Sequence, residues 1–260
     1  MENLRLAILQ AELIWEDVEA NLSAFTTRFA AIKGDTDLIV MPEMFASGFT
    51  MKGKADVADS YNHIVRWMLE SSKKGGFVLM GSTIYCEEDK YYNRFLVAHP
   101  DGKLEHYDKR HLFTMGTEND HFTAGRDYII VDIKGWKLRP FVCYDLRFPV
   151  WCRNTNEYDI AIFSANWPEA RRDAWKALLT ARAIENQAYV VGVNCVGTDG
   201  NRLKYSGDAG VYNFIGKKIL ACEPSKDDSA FIELSYSELT KFRKVFPVLN
   251  DIDDFKIYNK

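Results

Sequence analysis

Two hydrophobic rhythms alternate along this chain. Short apolar runs at Leu4–Gln10 and at residues 37–41, 77–84, 158–164 and 188–195 have the length of buried strands. Between them, apolar residues recur at steps of three and four. Val18, Leu22, Phe25, Phe29 and Ile32 precede Gly34; Ile64, Trp67 and Met68 precede Gly75-Gly76; Trp175, Leu178, Leu179 and Ile184 fall within residues 171–185. That spacing predicts amphipathic helices, each with one face turned to a core, and glycine is the residue best suited to the left-handed stop of such a helix. Residues 91–99 and 103–107, joined by Pro100-Asp101-Gly102, predict an antiparallel hairpin. Residues 128–133 and 137–143 predict a second one around Gly135-Trp136. Strands at 210–214, 218–221 and 230–234 and a helix over 235–244 follow, before an Asp-rich tail that either reaches across to a partner or lies loose.

Helices between strands imply parallel pairing, whereas hairpins impose antiparallel pairs, so the sheets must be mixed. Two mixed sheets stacked between helix layers satisfy this order, an α/β arrangement in which each sheet is covered on both faces. No linker, low-complexity tract or shift in composition divides the chain, and residues 1–260 are read as a single domain.

Composition narrows the partners. The 260 residues are 47% hydrophobic, ample for a substantial core. A formal net charge of −4, from 33 basic and 37 acidic residues well mixed, offers no basic face to nucleic acid and no polybasic segment to a membrane. No apolar stretch approaches the roughly 20 residues of a membrane span. The N-terminus leads into a strand-like run without a signal-peptide apolar core, which suggests a cytoplasmic protein. Its cysteines, at 86, 143, 152, 195 and 222, are odd in number and include no Cys-x-x-Cys pair, so neither a disulfide framework nor a zinc ribbon is expected.

Candidate chemistry stands at the ends of three predicted strands. Glu43 follows Met41-Pro42, where proline ends a strand; Lys109 follows the first hairpin; Cys143 closes the apolar run 138–143 and is followed at once by Tyr144, Asp145 and Arg147. A carboxylate, an ammonium and a thiol converging from strand ends supply a base, an oxyanion donor and a nucleophile. A thiol at such a place can be held partly as thiolate and can find backbone donors for an oxyanion. Taken singly, each residue also has a plainer reading: Cys143 as core filler, Glu43 as a turn residue, Lys109 as a surface charge. Cys152, Cys195 and Cys222 read as core fillers, and Glu185 as a structural acid.

The segments Pro42-Glu43-Met44-Phe45, Tyr107-Asp108-Lys109-Arg110-His111-Leu112-Phe113 and Val142-Cys143-Tyr144-Asp145-Leu146-Arg147-Phe148-Pro149 resemble the three signature segments of the nitrilase, or carbon–nitrogen hydrolase, superfamily, in that family's order. The likeness extends through Ser164-Ala165-Asn166-Trp167-Pro168 and residues 182–190, nearly the whole chain, and Cys-Tyr-Asp-Leu-Arg-Phe-Pro-Val-Trp resembles its omega-amidase branch. The resemblance implies a four-layer α-β-β-α sandwich, usually paired sheet to sheet as a homodimer. It implies Glu43 as general base, Lys109 as the cation beside a tetrahedral intermediate, Cys143 as nucleophile and Glu118 as a second glutamate near the lysine, with substrate contacts from Tyr144, Phe113, Arg147, Asn166 and Trp167. Ala209 and Phe214 depart from the serine and proline that relatives commonly carry there.

The implied reaction is hydrolysis of the terminal amide of short dicarboxylic acid monoamides, such as 2-oxoglutaramate or succinamate, through a cysteine thioester. Small-molecule amide and water are then the reactants, and no metal or cofactor is needed. Arg110, Arg147 and Arg171 are the arginines near enough in sequence to read the far carboxylate, unless Arg147 is taken by an acid. Alternatives are another amidase, an N-carbamoyl hydrolase or a nitrilase of the same superfamily, a binding protein on this fold, or a papain-like pair of Cys143 with His111.

Overall fold

A computed structural model describes residues 2–32 and 36–258. The chain opens with β1 (Leu4–Gln10), α1 (Val18–Ala31), β2 (Leu38–Val40), α2 (Lys54–Asp59) and α3 (Tyr61–Gly75). Then come β3 (Val78–Glu87), β4 (Lys90–Ala98), β5 (Leu104–Asp108) and the single-turn α4 (Glu118–His121). The next stretch holds β6 (Val131–Ile133), β7 (Trp136–Val142), the short α5 (Pro149–Cys152), β8 (Ile160–Ala165), α6 (Arg172–Asn186) and β9 (Tyr189–Asn194). It closes with β10 (Val196–Thr198), β11 (Lys204–Ser206), β12 (Gly210–Tyr212), β13 (Lys218–Ala221), β14 (Asp228–Leu234) and α7 (Tyr236–Val245).

Two six-stranded mixed sheets result, in the orders β14-β1-β2-β3-β4-β5 and β13-β12-β9-β8-β7-β6. Strands β1, β2 and β3 are mutually parallel, as are β7, β8 and β9, and the flanking strands are antiparallel. Alternation sorts the side chains between layers. From β1, Leu4, Leu6 and Ile8 join the large core shared by the two sheets, while Ala7 and Leu9 face the other way, into a core with Leu22 and Phe25 of α1 and Ile64 and Met68 of α3. On the far side of the second sheet, Trp175, Leu179 and Ala183 of α6 pack onto it. The expected α-β-β-α sandwich of two mixed sheets is therefore the fold.

Most predicted elements stand within a few residues of their expected ends, and the differences have local causes. Helix α3 stops at Gly76, whose φ of +69° is the left-handed cap. The Gly34 stop expected for α1 lies outside the described residues. Strand β3 runs on to Glu87 because Glu88 and Asp89, both with positive φ, make a tight two-residue turn into β4 without a glycine to announce it. On α6 the buried face is Trp175, Leu179, Arg182, Ala183 and Asn186, so Ile184, expected on the apolar side, is 53% exposed. Nine residues beyond Trp175, it lies half a revolution round the helix. Helix α2 and the β10–β11 ribbon were not expected from the sequence. In the tail, Phe255, Ile257 and Tyr258 line clefts with Arg110 and Trp151.

Candidate active site

Strand directions bring the expected residues together. β5 runs the same way as β3 because two antiparallel steps separate them, so Glu43, just past β2, and Lys109, just past β5, leave the first sheet at one edge. Cys143 past β7 and Asn166 past β8 leave the carboxyl edge of the second. Such edges are the usual ligand sites of open α/β sheets. Direct bonds join the two edges: Ser164 Oγ donates to the Met41 carbonyl (2.6 Å), Asn166 N–H to Glu43 Oε2 (2.8 Å), and Asn166 Nδ2 to the Glu43 carbonyl (2.6 Å).

At the centre Lys109 Nζ donates to Glu43 Oε1 (2.9 Å) and to Glu118 Oε1 and Oε2 (3.0 and 2.9 Å). All three side chains are fully buried. Asn93 Nδ2 also donates to Glu43 Oε1 (2.8 Å), and Phe113 N–H holds Glu118 Oε2 (2.6 Å). Burial works against the charge of Lys109, but the carboxylates of Glu118 and Glu43 more than offset it and hold the ammonium well above the ordinary lysine range. Burial raises Glu118, Lys109 opposes this, and Glu43 adds to it, so Glu118 is the more easily protonated for sharing one cation with a second acid.

Cys143 begins a 3-10 turn, Cys143–Arg147, with a φ of +44° that a side chain rarely adopts. Strain of this kind costs on the order of 1–3 kcal/mol and persists only where neighbours impose it. Here Asp145 imposes it. Its Oδ2 accepts from Val142 N–H (2.9 Å) and Tyr107 O–H (2.7 Å), and its Oδ1 accepts from His111 N–H (3.0 Å) and lies 2.8 Å from His111 Nδ1. The nucleophile turn is thus bolted to the Lys109 loop, and His111, stacked on Phe148, belongs to that bolt. A papain-like pairing of His111 with Cys143 is absent.

One expectation about the thiol is corrected. Burial drives the Cys143 pKa well above its ordinary value, Glu43 pushes it further, and Lys109 only partly opposes them, so the resting group is a thiol rather than a partial thiolate. Its proton has an acceptor nearby in Glu43. Attack by sulfur and transfer of that proton can therefore occur together, beside an ammonium fixed to meet a developing oxyanion.

A cavity of about 200 Å³ opens on Cys143 and Lys109. Tyr144, Phe113, Arg147, Asn166 and Trp167 line it, whereas Glu43 and Glu118 stand behind the lysine. Trp167 is held by Asn194, whose Oδ1 accepts from its N–H (2.7 Å) and whose Nδ2 donates to its carbonyl (3.0 Å). Arg147 forms no ion pair with any described residue; its guanidinium sits 4.8 Å over the Trp167 ring. The reading in which an acid claims Arg147 is thereby excluded among the described residues. Arg171 lines the same cavity, and Arg110 does not: it donates to the Arg126 carbonyl on another face. Cys152, Cys195 and Cys222 are buried as expected, and Cys195 Sγ donates to Asn166 Oδ1 (2.8 Å), bracing the residue that holds Glu43.

Sequence reasoning missed Asn93 and the ribbon that places Asp199, Asn201, Leu203 and Tyr205 on the cavity. Both left signals. Asparagine is depleted in strand interiors, so Asn93 amid Tyr91-Tyr92 and Phe95 calls for a reason, and Asp199-Gly200 is a hairpin turn pair.

An α-β-β-α sandwich with thiol, ammonium and two carboxylates gathered at its strand ends defines the nitrilase-like class of hydrolase folds. Within it, this chain belongs to the carbon-nitrogen hydrolase family, whose model matches residues 5–244. It is 44% identical to the omega-amidase YafV of Escherichia coli strain K12 over 258 residues, covering 99% of this chain and 100% of the relative. It is 31% identical to the 2-oxoglutaramate amidase of Bacillus subtilis over 221 residues, covering 83% and 85%. The crystal structure of XC1258 from Xanthomonas campestris, a CN-hydrolase superfamily protein with an arsenic adduct in its active site, superposes with a TM-score of 0.96 at 39% identity, covering 99% of this chain and 100% of that one.

Proposed function

We propose that this protein is an omega-amidase that hydrolyses the terminal amide of short dicarboxylic acid monoamides, such as 2-oxoglutaramate and succinamate, to the acid and ammonia. One observation carries the reading. A cation with no acidic partner among the described residues, Arg147, shares a small cavity with a thiol and a buried ammonium, as a carboxylate-bearing amide requires. The names of the full-length relatives, omega-amidase and 2-oxoglutaramate amidase, support the same conclusion.

In this mechanism Cys143 Sγ attacks the amide carbon as its proton passes to Glu43. The oxyanion is met by Lys109 Nζ and the Tyr144 N–H. Glu43 returns the proton to the departing nitrogen, the C–N bond breaks, and ammonia leaves a thioester on Cys143. Water, deprotonated by Glu43, then attacks the thioester; the C–S bond breaks, the acid is released, and the thiol regains its proton. Glu118 fixes Lys109. Phe113, Asn166 and Trp167 shape the cavity, and Arg147 binds the far carboxylate through paired hydrogen bonds. Every role falls to a side chain or backbone group of residues 1–260 acting as one domain, with no metal or cofactor. The enzyme works in the cytoplasm as a homodimer whose partner is a second copy of this chain; a monomeric mass by light scattering would contradict the dimer.

The decisive test of substrate class compares succinamate with butyramide, an uncharged amide of equal length. A charged hydrogen-bonded pair contributes about 1.5–3 kcal/mol, so kcat/KM is expected to favour succinamate by about 10-fold to 10²-fold. Equal values, or a preference for butyramide, would refute the reading of the far carboxylate and favour a broader amidase.

Because the resting group is a thiol, its alkylation depends on Glu43. Iodoacetamide is expected to modify Cys143 ahead of Cys152, Cys195 and Cys222, which are buried, and Glu43→Gln is expected to slow that reaction. Peptide mapping that finds another cysteine labelled first, or equal rates with and without Glu43, would contradict this.

A further inference from the structure

The cavity holds a second arginine that the mechanism leaves unused. Arg171 closes the 3-10 turn before α6, with its guanidinium 5.0 Å over the Phe113 ring. Neither Arg171 nor Arg147 donates a side-chain hydrogen bond or forms an ion pair with any described residue. The contrast with the next residue is sharp, because Arg172 is fully engaged by Asp208 (2.7 and 3.0 Å). Asp199 is the one carboxylate among the residues lining the cavity, and its own ribbon occupies it: Oδ1 accepts from Asn201 and Leu203 N–H (2.8 and 2.9 Å) and Oδ2 from Tyr205 O–H (2.9 Å). Glu43 and Glu118 are taken by Lys109. The cavity therefore carries two guanidiniums with no direct ion-pair partner among the described residues.

Their mounts are shared. Trp167 supplies the face under Arg147, and its Nε1–H donates to the Arg171 carbonyl (2.8 Å). Phe113 supplies the face under Arg171 and meets Tyr144, the neighbour of Cys143, edge to face with ring centroids 5.2 Å apart. Both forks are thus tied to the frame that holds the nucleophile. One carboxylate offers two oxygens, enough for one guanidinium fork, whereas a 2-oxo acid presents a third oxygen beside them in the same plane. An α-ammonium in that place would instead meet two like charges, which repel it strongly in a confined space.

We propose that Arg171 is a specificity-determining residue, pairing with Arg147 to bind the carboxylate and 2-oxo oxygens of a 2-oxo acid amide and to exclude the corresponding amino acid. This rests on the omega-amidase reading and deepens it. The selectivity arises at the end of the substrate remote from the amide, so it concerns binding of the acid and leaves the thioester chemistry as described.

The test measures kcat/KM for 2-oxoglutaramate, for glutaramate, which lacks only the oxo oxygen, for L-glutamine and for butyramide, in the wild type, Arg171→Met and Arg171→Lys. The wild type is expected to prefer 2-oxoglutaramate to glutaramate by about 10-fold or more and to use glutamine least of the acids. Arg171→Met is expected to lower the value for 2-oxoglutaramate by about 10²-fold, the scale of a lost charged pair, and to bring the oxo-to-plain ratio close to one. Arg171→Lys restores part of that ratio. Ratios within one variant do not depend on how much of it folds. An unchanged oxo-to-plain ratio in Arg171→Met, or no such preference in the wild type, would overturn the inference while glutaramate still outpaces butyramide. If glutaramate does not outpace butyramide in the wild type, it is the omega-amidase reading that fails.

Discussion

Cys143→Ala is expected to remove amide hydrolysis altogether, a loss of about 10⁵-fold or more, while leaving the protein folded. The loss is of this size because Cys143 is the one thiol among the residues lining the cavity, Lys109 is held as an ammonium by Glu43 and Glu118, and Cys195 is buried against Asn166. Knocking out the nucleophile of a comparable catalytic unit costs about 10⁶-fold. The small change in packing is cheap, since trimming one sulfur from a residue at a cavity wall opens space the cavity already has. Cys143→Ser is expected to be nearly as inactive, because a hydroxyl is far harder to deprotonate than even a raised thiol. Turnover at more than a hundredth of the wild-type rate, in protein expressed free of wild-type contamination, would remove the nucleophile assignment.

Lys109→Met is expected to damage rate and stability together. Among the described residues Lys109 is the only cation bonded to two fully buried carboxylates, and without it Glu43 and Glu118 face one another uncompensated. Breaking a buried ion pair from one side costs about 3–5 kcal/mol, and loss of an oxyanion donor lowers kcat by about 10²-fold to 10³-fold. The two effects separate in the double variant Lys109→Met with Glu118→Gln, which removes one of the stranded charges. Thermal and urea unfolding are expected to show the double variant more stable than the single one, while its activity stays low. If Lys109→Met unfolds like the wild type and turns over at a near-normal rate, Lys109 has neither role. The sign of a pH effect follows from the same cluster. Glu118 has a raised pKa, and Lys109→Met removes the cation that opposes the rise, so protonating Glu118 on acidification removes one of the two stranded charges and the deficit of Lys109→Met in stability is expected to shrink as pH falls.

Much of this arrangement was legible beforehand because strand ends carry their own punctuation. Pro42 closes β2 just before Glu43, and the apolar run through Phe141 and Val142 ends at Cys143, so the polar residues that emerge there were identifiable as site residues without knowing which strands were neighbours. Family likeness then supplied the pairing. What could not be read was anything that depends on the sum of opposing terms. Cys143 is flanked by a lysine and by glutamates, and only their depth and distance decide that desolvation and Glu43 outweigh Lys109 and keep the thiol protonated. The strained turn at Cys143 was equally invisible, since Asp145 reaches back to Val142 and across to Tyr107 and His111, bonds that exist only once β5 and β7 are placed. Ile184 was misassigned because one apolar residue at helical spacing can sit on the wrong side of a helix when the true buried face includes Arg182 and Asn186. From the sequence Arg171 is a nearby cation and no more; that it forms no ion pair with any described residue is a property of the cavity.

The claim on which the rest depends is that the acyl group is carried by Cys143. Rapid acid quenching of the wild-type enzyme during its first turnover of succinamate, followed by intact mass and peptide mapping, tests it directly. The account predicts a transient mass gain equal to the acyl group, located on the Cys143 peptide, appearing as ammonia is released and decaying as the acid forms. Ammonia released with no adduct at any quench time, or an adduct on a residue other than Cys143, would contradict it.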